Sequence, residues 1–214
     1  EIPLRLVGSE MCIRDRLPGG EGWAVEQLQI ATHNGTHLDA PYHYHSTMNN
    51  GERAITIDEV PLEWCFNPGV KLDFRKFEDG YIVTAEDVEK ELERIGHQLK
   101  PLDIVMVNTS AGDRYGKSDF LLKGCGMGRE ATLYLTERGV RVTGTDAWSW
   151  DAPFPLTAKK FAEEKDPPII WEGHRAGMDI GYCHIEKLTN LENLPANGFC
   201  LLYTSPSPRD VEEA

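Results

Sequence analysis

The sequence predicts an α/β fold, and three observations carry that prediction. Residues 102–107, LDIVMV, form a nearly continuous apolar run of the length of a buried strand. Segments with helical periodicity lie on either side of it, at 84–96 and 129–138. Strand-like segments at 69–74 and 140–145 alternate with those helices, which is the order of a sheet covered by helices.

The elements follow in chain order. Residues 23–32, WAVEQLQIAT, alternate Val25, Leu28 and Ile30 imperfectly with polar positions and read as a strand. A His-rich turn comes next, and Met48-Asn49-Asn50-Gly51 is a turn signal. Residues 53–57 and 69–74 are short strand candidates. Thr84 with Asp87 three residues on forms a capping box, after which Val88, Leu92 and Ile95 recur at helical spacing. That helix ends near Gly96, before Pro101. Residues 129–138 read as a helix stopped by Gly139. A strand follows at 140–145, then a short helix at 157–165 halted by Pro167-Pro168. The glycine-rich GCGMG at 124–128 is one residue short of a dinucleotide fingerprint and follows no strand.

Composition bounds the function. With 35 acidic and 22 basic side chains in 214 residues, the net charge of −13 argues against a nucleic-acid partner. No apolar stretch of about 18 residues is present, so no membrane span is expected. The five cysteines, at 12, 65, 125, 183 and 200, form no CxxC pair, which points to free thiols and a cytoplasmic setting. Residues 6–16, LVGSEMCIRDR, and 200–210, CLLYTSPSPRD, read as translated sequencing-library adapter flanking a metagenomic fragment. The expected natural domain is therefore a single one over 17–199, with 1–16 and 200–214 as non-native tails. Because the natural start would lie upstream, a signal peptide is left open.

The chemistry concentrates in His33-Asn34-Gly35-Thr36-His37-Leu38-Asp39-Ala40-Pro41-Tyr42-His43. Four of the seven histidines lie between 33 and 45. Imidazole and carboxylate together suit zinc, manganese or iron(II). An ideal strand would put 33, 37, 39 and 43 on one face but hold 33 and 37 about 13 Å apart, too far to share an ion. Gly35 and Pro41 disfavour a helix. A tight turn at Gly35 is the remaining solution, with Pro41 redirecting the chain so that His43 enters from another side. His45 reads as a loop residue outside the ligand set.

HNGTHLDAPYH resembles the HxGTHxDxPxH signature of the cyclase-like metal-dependent hydrolases, a family that includes bacterial kynurenine formamidase and isatin hydrolase. EGHRAGMDIGYCHIEKLTNLENLP is similar to that family's second metal segment, and GTDAWSWDAPFP at 144–155 to its active-site region. The resemblance spans roughly 22–199. It implies a swivelling β/β/α domain, usually a homodimer or homotetramer, here truncated at both ends. It implies that His33, His37 and Asp39 bind one divalent ion, zinc or manganese. Asp39 would bridge to a second ion, where one is bound, held by His174 and Glu186. His43 would be the general base or proton shuttle. The implied reaction is hydrolysis of an amide carbon–nitrogen bond, in an aryl formamide such as N-formylkynurenine or a cyclic amide such as isatin. The alternatives are a non-hydrolytic cyclase or dehydratase on a polyketide-like substrate, and an inactive metal-binding module.

Other residues are weighed beside these. Trp148, Trp150 and Phe154 line either an aromatic pocket or the core. His184 can share the strand face of Glu186 but is set aside. Asp146 and Asp151 are candidate carboxylates behind the metal ligands, with ordinary loop capping as the first reading. His97 reads as a cation at a helix C-terminus, and the acidic run Glu86–Glu93 as a solvated helix face.

Overall fold

A computed structural model describes residues 5–6, 28–29 and 31–202. The chain divides into two compact units, Glu1–Asn34 and Gly35–Ala214. In the first, Arg5–Leu6 pairs antiparallel with Leu28–Gln29. The rest of the predicted 23–32 strand, apart from residues 31 and 32, lies outside the described residues, as do 7–16 and 203–210 of the adapter-like strings.

The second unit is built on a six-stranded sheet. Its strands are β1 (His37–Asp39), β2 (Phe66–Asp73), β3 (Ile104–Asn108), β4 (Val142–Thr145), β5 (Cys183–Glu186) and β6 (Phe199–Leu202). The spatial order is β6-β2-β3-β4-β5-β1. Strands β2 to β5 are parallel, and the two edges β6 and β1 run antiparallel to their neighbours. This is the mixed α/β architecture expected. Cys200, Leu201 and Leu202, within the string read as tail, pair with Pro68, Asn67 and Phe66 of β2. At the same edge the Phe199 ring lies over Gly69, where a Cβ would lie 2.1 Å from a ring carbon and the ring would have to shift.

Side chains alternate across the sheet. Val105 and Val107 of β3 enter one apolar cluster with Val70 and Leu72 of β2, Val88 and Leu92 of α2 (Ala85–Arg94) and Leu135 of α3 (Arg129–Glu137). Ile104, Val142, Cys183, Ile185 and Leu38 enter a second cluster. Residue parity alone therefore sends Tyr182, His184 and Glu186 to one face of β5, and Cys183 and Ile185 to the other.

The helix predictions transfer closely. The Thr84 hydroxyl accepts from the Asp87 amide and the Asp87 carboxylate accepts from the Thr84 amide, so the capping box forms and α2 begins at Ala85. The predicted 157–165 helix starts earlier, as α4 (Phe154–Glu164), since Pro155 fits the first turn, and it ends at left-handed Lys165. The 53–57 strand is the main departure. Only Glu52–Arg53 is extended, in a ribbon with Thr47–Met48. A 3₁₀ turn at Ile57–Glu59 follows, nucleated by a Thr56–Glu59 capping box that competes with strand pairing.

Candidate metal centre

The centre starts from the register of the edge strand β1 on its neighbour β5. Antiparallel β5 and β1 place His184 opposite Asp39 and Glu186 opposite His37. Directly opposed residues share a face, so two imidazoles and two carboxylates converge on one side of the sheet. On the reverse side Leu38 opposes Ile185 within the apolar cluster. His37 Nε2 lies 3.3 Å from Asp39 Oδ1 and 3.7 Å from Glu186 Oε2. His184 Nε2 lies 3.2 Å from Asp39 Oδ2 and 3.5 Å from Glu186 Oε1.

The turn predicted at Gly35 is present, with φ of +70°, a backbone conformation open to glycine. It brings the Gly35 carbonyl 2.8 Å from His37 Nδ1. A carbonyl only accepts, so Nδ1 carries the proton that it receives, and Nε2 is the ring atom turned to the carboxylates. Pro41 opens a one-turn helix, α1 (Pro41–Tyr44), where its missing N–H costs nothing. His43 sits on that turn, exposed, with its ring 6.3 Å from that of His174. His45 bonds Thr47 through Nδ1, as a loop residue would.

His174 arrives on α5 (Glu172–Ala176). Asp151 accepts from the Gly173 amide at 2.7 Å and the His174 amide at 3.1 Å, and a short hydrogen bond joins it to His174 Nδ1. Asp151 thus caps the distant start of α5 rather than its own loop, and the same carboxylate also fixes the imidazole tautomer. This is the carboxylate–histidine pairing that orients metal ligands. Asp146 has a different task, accepting from Asn108 Nδ2 and from the Thr109 amide and hydroxyl. His97 binds Asp103 at 2.9 Å rather than a bare helix terminus.

Two residues set aside or unremarked in the sequence belong to the centre. His184 is fully buried, stacked under Tyr44 at 5.3 Å and facing Trp150 at 6.3 Å. Lys187 is buried with Nζ 3.3 Å from Glu186 Oε2 and 4.7 Å from the Trp148 ring centre. Its carbonyl accepts from the Thr36 hydroxyl at 2.6 Å, tying the end of β5 to the ligand turn. The spacing of His184 to Glu186 was the available signal for the first. Nothing in the sequence marked the second.

Electrostatics follow from burial. Burial disfavours the His184 imidazolium, but the facing carboxylates of Asp39 and Glu186 outweigh it and raise its pKa. Burial likewise favours neutral Glu186, and His184 reverses that, holding the acid low. Burial pushes the phenols of Tyr44 and Tyr182 well above their ordinary value, so both remain donors. Tyr44 donates to the Tyr182 carbonyl and Tyr182 to that of Gly173.

His37, Asp39, His174, His184 and Glu186 are each at most 6% exposed. Buried carboxylates need a cation or hydrogen-bond donors, and a set of three imidazoles and two carboxylates suits zinc, manganese or iron(II). The residues therefore fit a divalent metal. His33 belongs to the first unit, Glu1–Asn34.

Beside α5 a small cavity of about 60 Å³ is lined by Met127, Trp148, Asp151, Phe154, Ile169 and Trp171, among others. Phe154 stacks on Trp171 at 5.6 Å, and Trp171 meets the His174 ring edge-on at 4.8 Å. Trp148 and Phe154 thus reach a cavity. Trp150 does not line it: it is core, with Nε1 donating to Thr132 Oγ1 at 3.0 Å. No helix among the described residues is long and apolar enough to cross a membrane.

Comparison with known proteins agrees with this architecture. The chain is 26% identical over 139 residues to a kynurenine formamidase of Bacillus thuringiensis subsp. konkukian, covering 64% of this chain and 56% of that one. It is 28% identical over 169 residues to a kynurenine formamidase of Geobacillus thermodenitrificans, covering 73% and 62%. The chain thus spans little more than half the length of the first of these relatives. An isatin hydrolase bound to the product analogue thioisatinate superposes with a TM-score of 0.68 at 19% identity, covering 93% of this chain and 73% of that one. Isatin hydrolase A of Ralstonia solanacearum gives 0.69 at 20% identity, covering 92% and 72%. These solved structures share the fold. The sequence profile of the family described as Cyclase, putative cyclase, matches residues 6–152, well over half of the chain, and the protein belongs to that family.

Proposed function

We propose that this protein is a metal-dependent amidohydrolase. It would cleave the carbon–nitrogen bond of an aryl formamide of the N-formylkynurenine type or a cyclic amide of the isatin type. The observation that carries the reading is the β5–β1 register, which gives the edge strand and its neighbour one buried face of imidazole and carboxylate beside an aromatic-lined cavity. The kynurenine formamidase relatives and the isatin hydrolase fold support the same class.

His33, His37 and Asp39 are proposed to hold one zinc or manganese ion, with His174 and Glu186 towards a second. A divalent cation supplies Lewis acidity, which lowers the pKa of water and polarises the amide carbonyl. Asp151 orients the His174 ring through Nδ1, and the Gly35 carbonyl orients the His37 ring through its Nδ1. His43 takes a proton from the attacking water and returns one to the leaving nitrogen. Its exposure and its position one turn beyond the ligand strand suit that shuttle. Trp148, Phe154 and Trp171 offer flat apolar surface to an aromatic substrate. At about 60 Å³ the cavity takes the edge of such a ring, with the rest lying towards His174.

Turnover of N-formylkynurenine and of isatin, with manganese or zinc added and in oxygen-labelled water, tests the proposal. Hydrolysis places solvent oxygen in the product. A product without it would favour a cyclase or dehydratase instead. His43→Ala is expected to keep the metal and lose most turnover, and full activity in that variant would displace His43 as the base.

A further inference from the structure

His184 is placed in the core by ring packing and by the carboxylates it faces, not by directed hydrogen bonds. It is fully buried, and neither ring nitrogen makes a hydrogen bond among the described residues. Its orientation is nevertheless fixed. Tyr44 stacks on one side at 5.3 Å with rings 17° apart, and Trp150 lies nearly parallel at 6.3 Å. The ring edge so held presents Nε2 to Asp39 Oδ2 and Glu186 Oε1, at 3.2 and 3.5 Å. The His174 ring meets it edge-on at 4.6 Å. One ligand atom from each of His174, His184 and Glu186 lies within 4.8 Å of the others, and all three residues are buried.

We propose that His184 is a direct metal ligand, which with His174 and Glu186 makes a three-ligand cation site that does not depend on a bridging Asp39. This rests on the reading of the centre as one that binds divalent cations. Two protein ligands make a weak site. Three, two of them imidazoles, are the usual complement of an open zinc site with positions left for water or substrate. The second position of this chain is then filled as firmly as the first, and Asp39 is released to face either ion. The aromatic walls take the place of hydrogen-bonding neighbours in holding the His184 ring.

The test is a titration of the metal-free full chain with zinc, followed by calorimetry and elemental analysis, for wild type and His184→Gln. Wild type is expected to bind two ions. His184→Gln is expected to keep one and to bind the other at least about 10-fold more weakly. Two ions bound by the variant with affinities within about two-fold of wild type would overturn the inference. So would a wild type that binds a single ion retained unchanged by the variant, and in both cases the proposed hydrolase would stand. A wild type that binds no divalent ion would remove both.

A second measurement needs no variant, should His184→Gln fail to fold. In wild type loaded with cadmium-113 and labelled with nitrogen-15 histidine, a metal–nitrogen coupling is expected on a His184 ring nitrogen. Coupling on His174 without coupling on His184 would overturn the assignment.

Discussion

Asp151→Asn isolates the carboxylate that organises the second half of the centre. Three donors converge on it: the Gly173 amide at 2.7 Å, the His174 amide at 3.1 Å and His174 Nδ1. A carboxylate offers only acceptor lone pairs, whereas asparagine replaces one acceptor oxygen with a donor. At least one of the three N–H groups then faces an NH₂ group in a buried setting. Hydrogen bonds to a charged group contribute about 1.5–3 kcal/mol each, and a stranded donor costs about 1–3 kcal/mol. The expected loss of stability in the metal-free chain is about 2–4 kcal/mol, read from urea unfolding. Losing the partner that fixes a ligating imidazole typically weakens metal binding about 10–100-fold, read by calorimetry with zinc. A variant within about 0.5 kcal/mol of wild type whose zinc affinity falls less than two-fold would refute the claim that Asp151 sets His174.

Three further outcomes follow from separate parts of the fold. In Gly126→Ala the new Cβ would lie 1.8 Å from the Ala152 amide nitrogen and 2.2 Å from the Asp151 carbonyl carbon. The backbone bearing Asp151 must move, so stability should fall by about 3 kcal/mol, with metal affinity falling alongside in calorimetry. Thr84→Ala removes one half of the α2 capping box and should cost about 1 kcal/mol in urea unfolding, with metal binding unchanged. The third concerns Asp146. Burial pushes its carboxyl up to about 6, although Thr109 and Asn108 donate to it. Its folded pKa is raised, so its contribution is fully present below about pH 4 and is lost as pH rises through about 6. The stability of wild type relative to Asp146→Asn should therefore decline between about pH 4 and 6. A difference that stays flat or grows over that window would contradict the assignment.

What the sequence makes legible is local. The apolar run ending in Val107 reads as a buried strand because both its faces are covered. The capping box at Thr84 and Asp87 marks the start of α2 to within a residue. His37 and Asp39 announce a shared face by their spacing of two, and Gly35 announces the turn before them. The ring tautomers, by contrast, depend on the Gly35 carbonyl and on Asp151, and the second of these lies 23 positions before its histidine. His184 shows the limit most clearly. Its spacing to Glu186 gives a common face, but its importance comes from lying opposite Asp39 across a strand pair closed by 145 residues of chain. Trp150 and Trp148 are two residues apart and equally suited to a pocket. Only the packing sends Trp150 to Thr132 and the core while Trp148 meets Lys187. The 53–57 strand fails because the side chains of Thr56 and Glu59 satisfy the local backbone before a neighbouring strand can.

The central claim is that the β1 and β5 strand faces form a centre that binds divalent metal. Its most direct test is the number of zinc or manganese ions bound per chain after equilibrium dialysis, measured by elemental analysis for wild type and Asp39→Asn. The account predicts at least one ion per wild-type chain and a clear loss in the variant. Wild-type chain that emerges folded but without bound metal, or an Asp39→Asn variant that binds as many ions just as tightly, would contradict it.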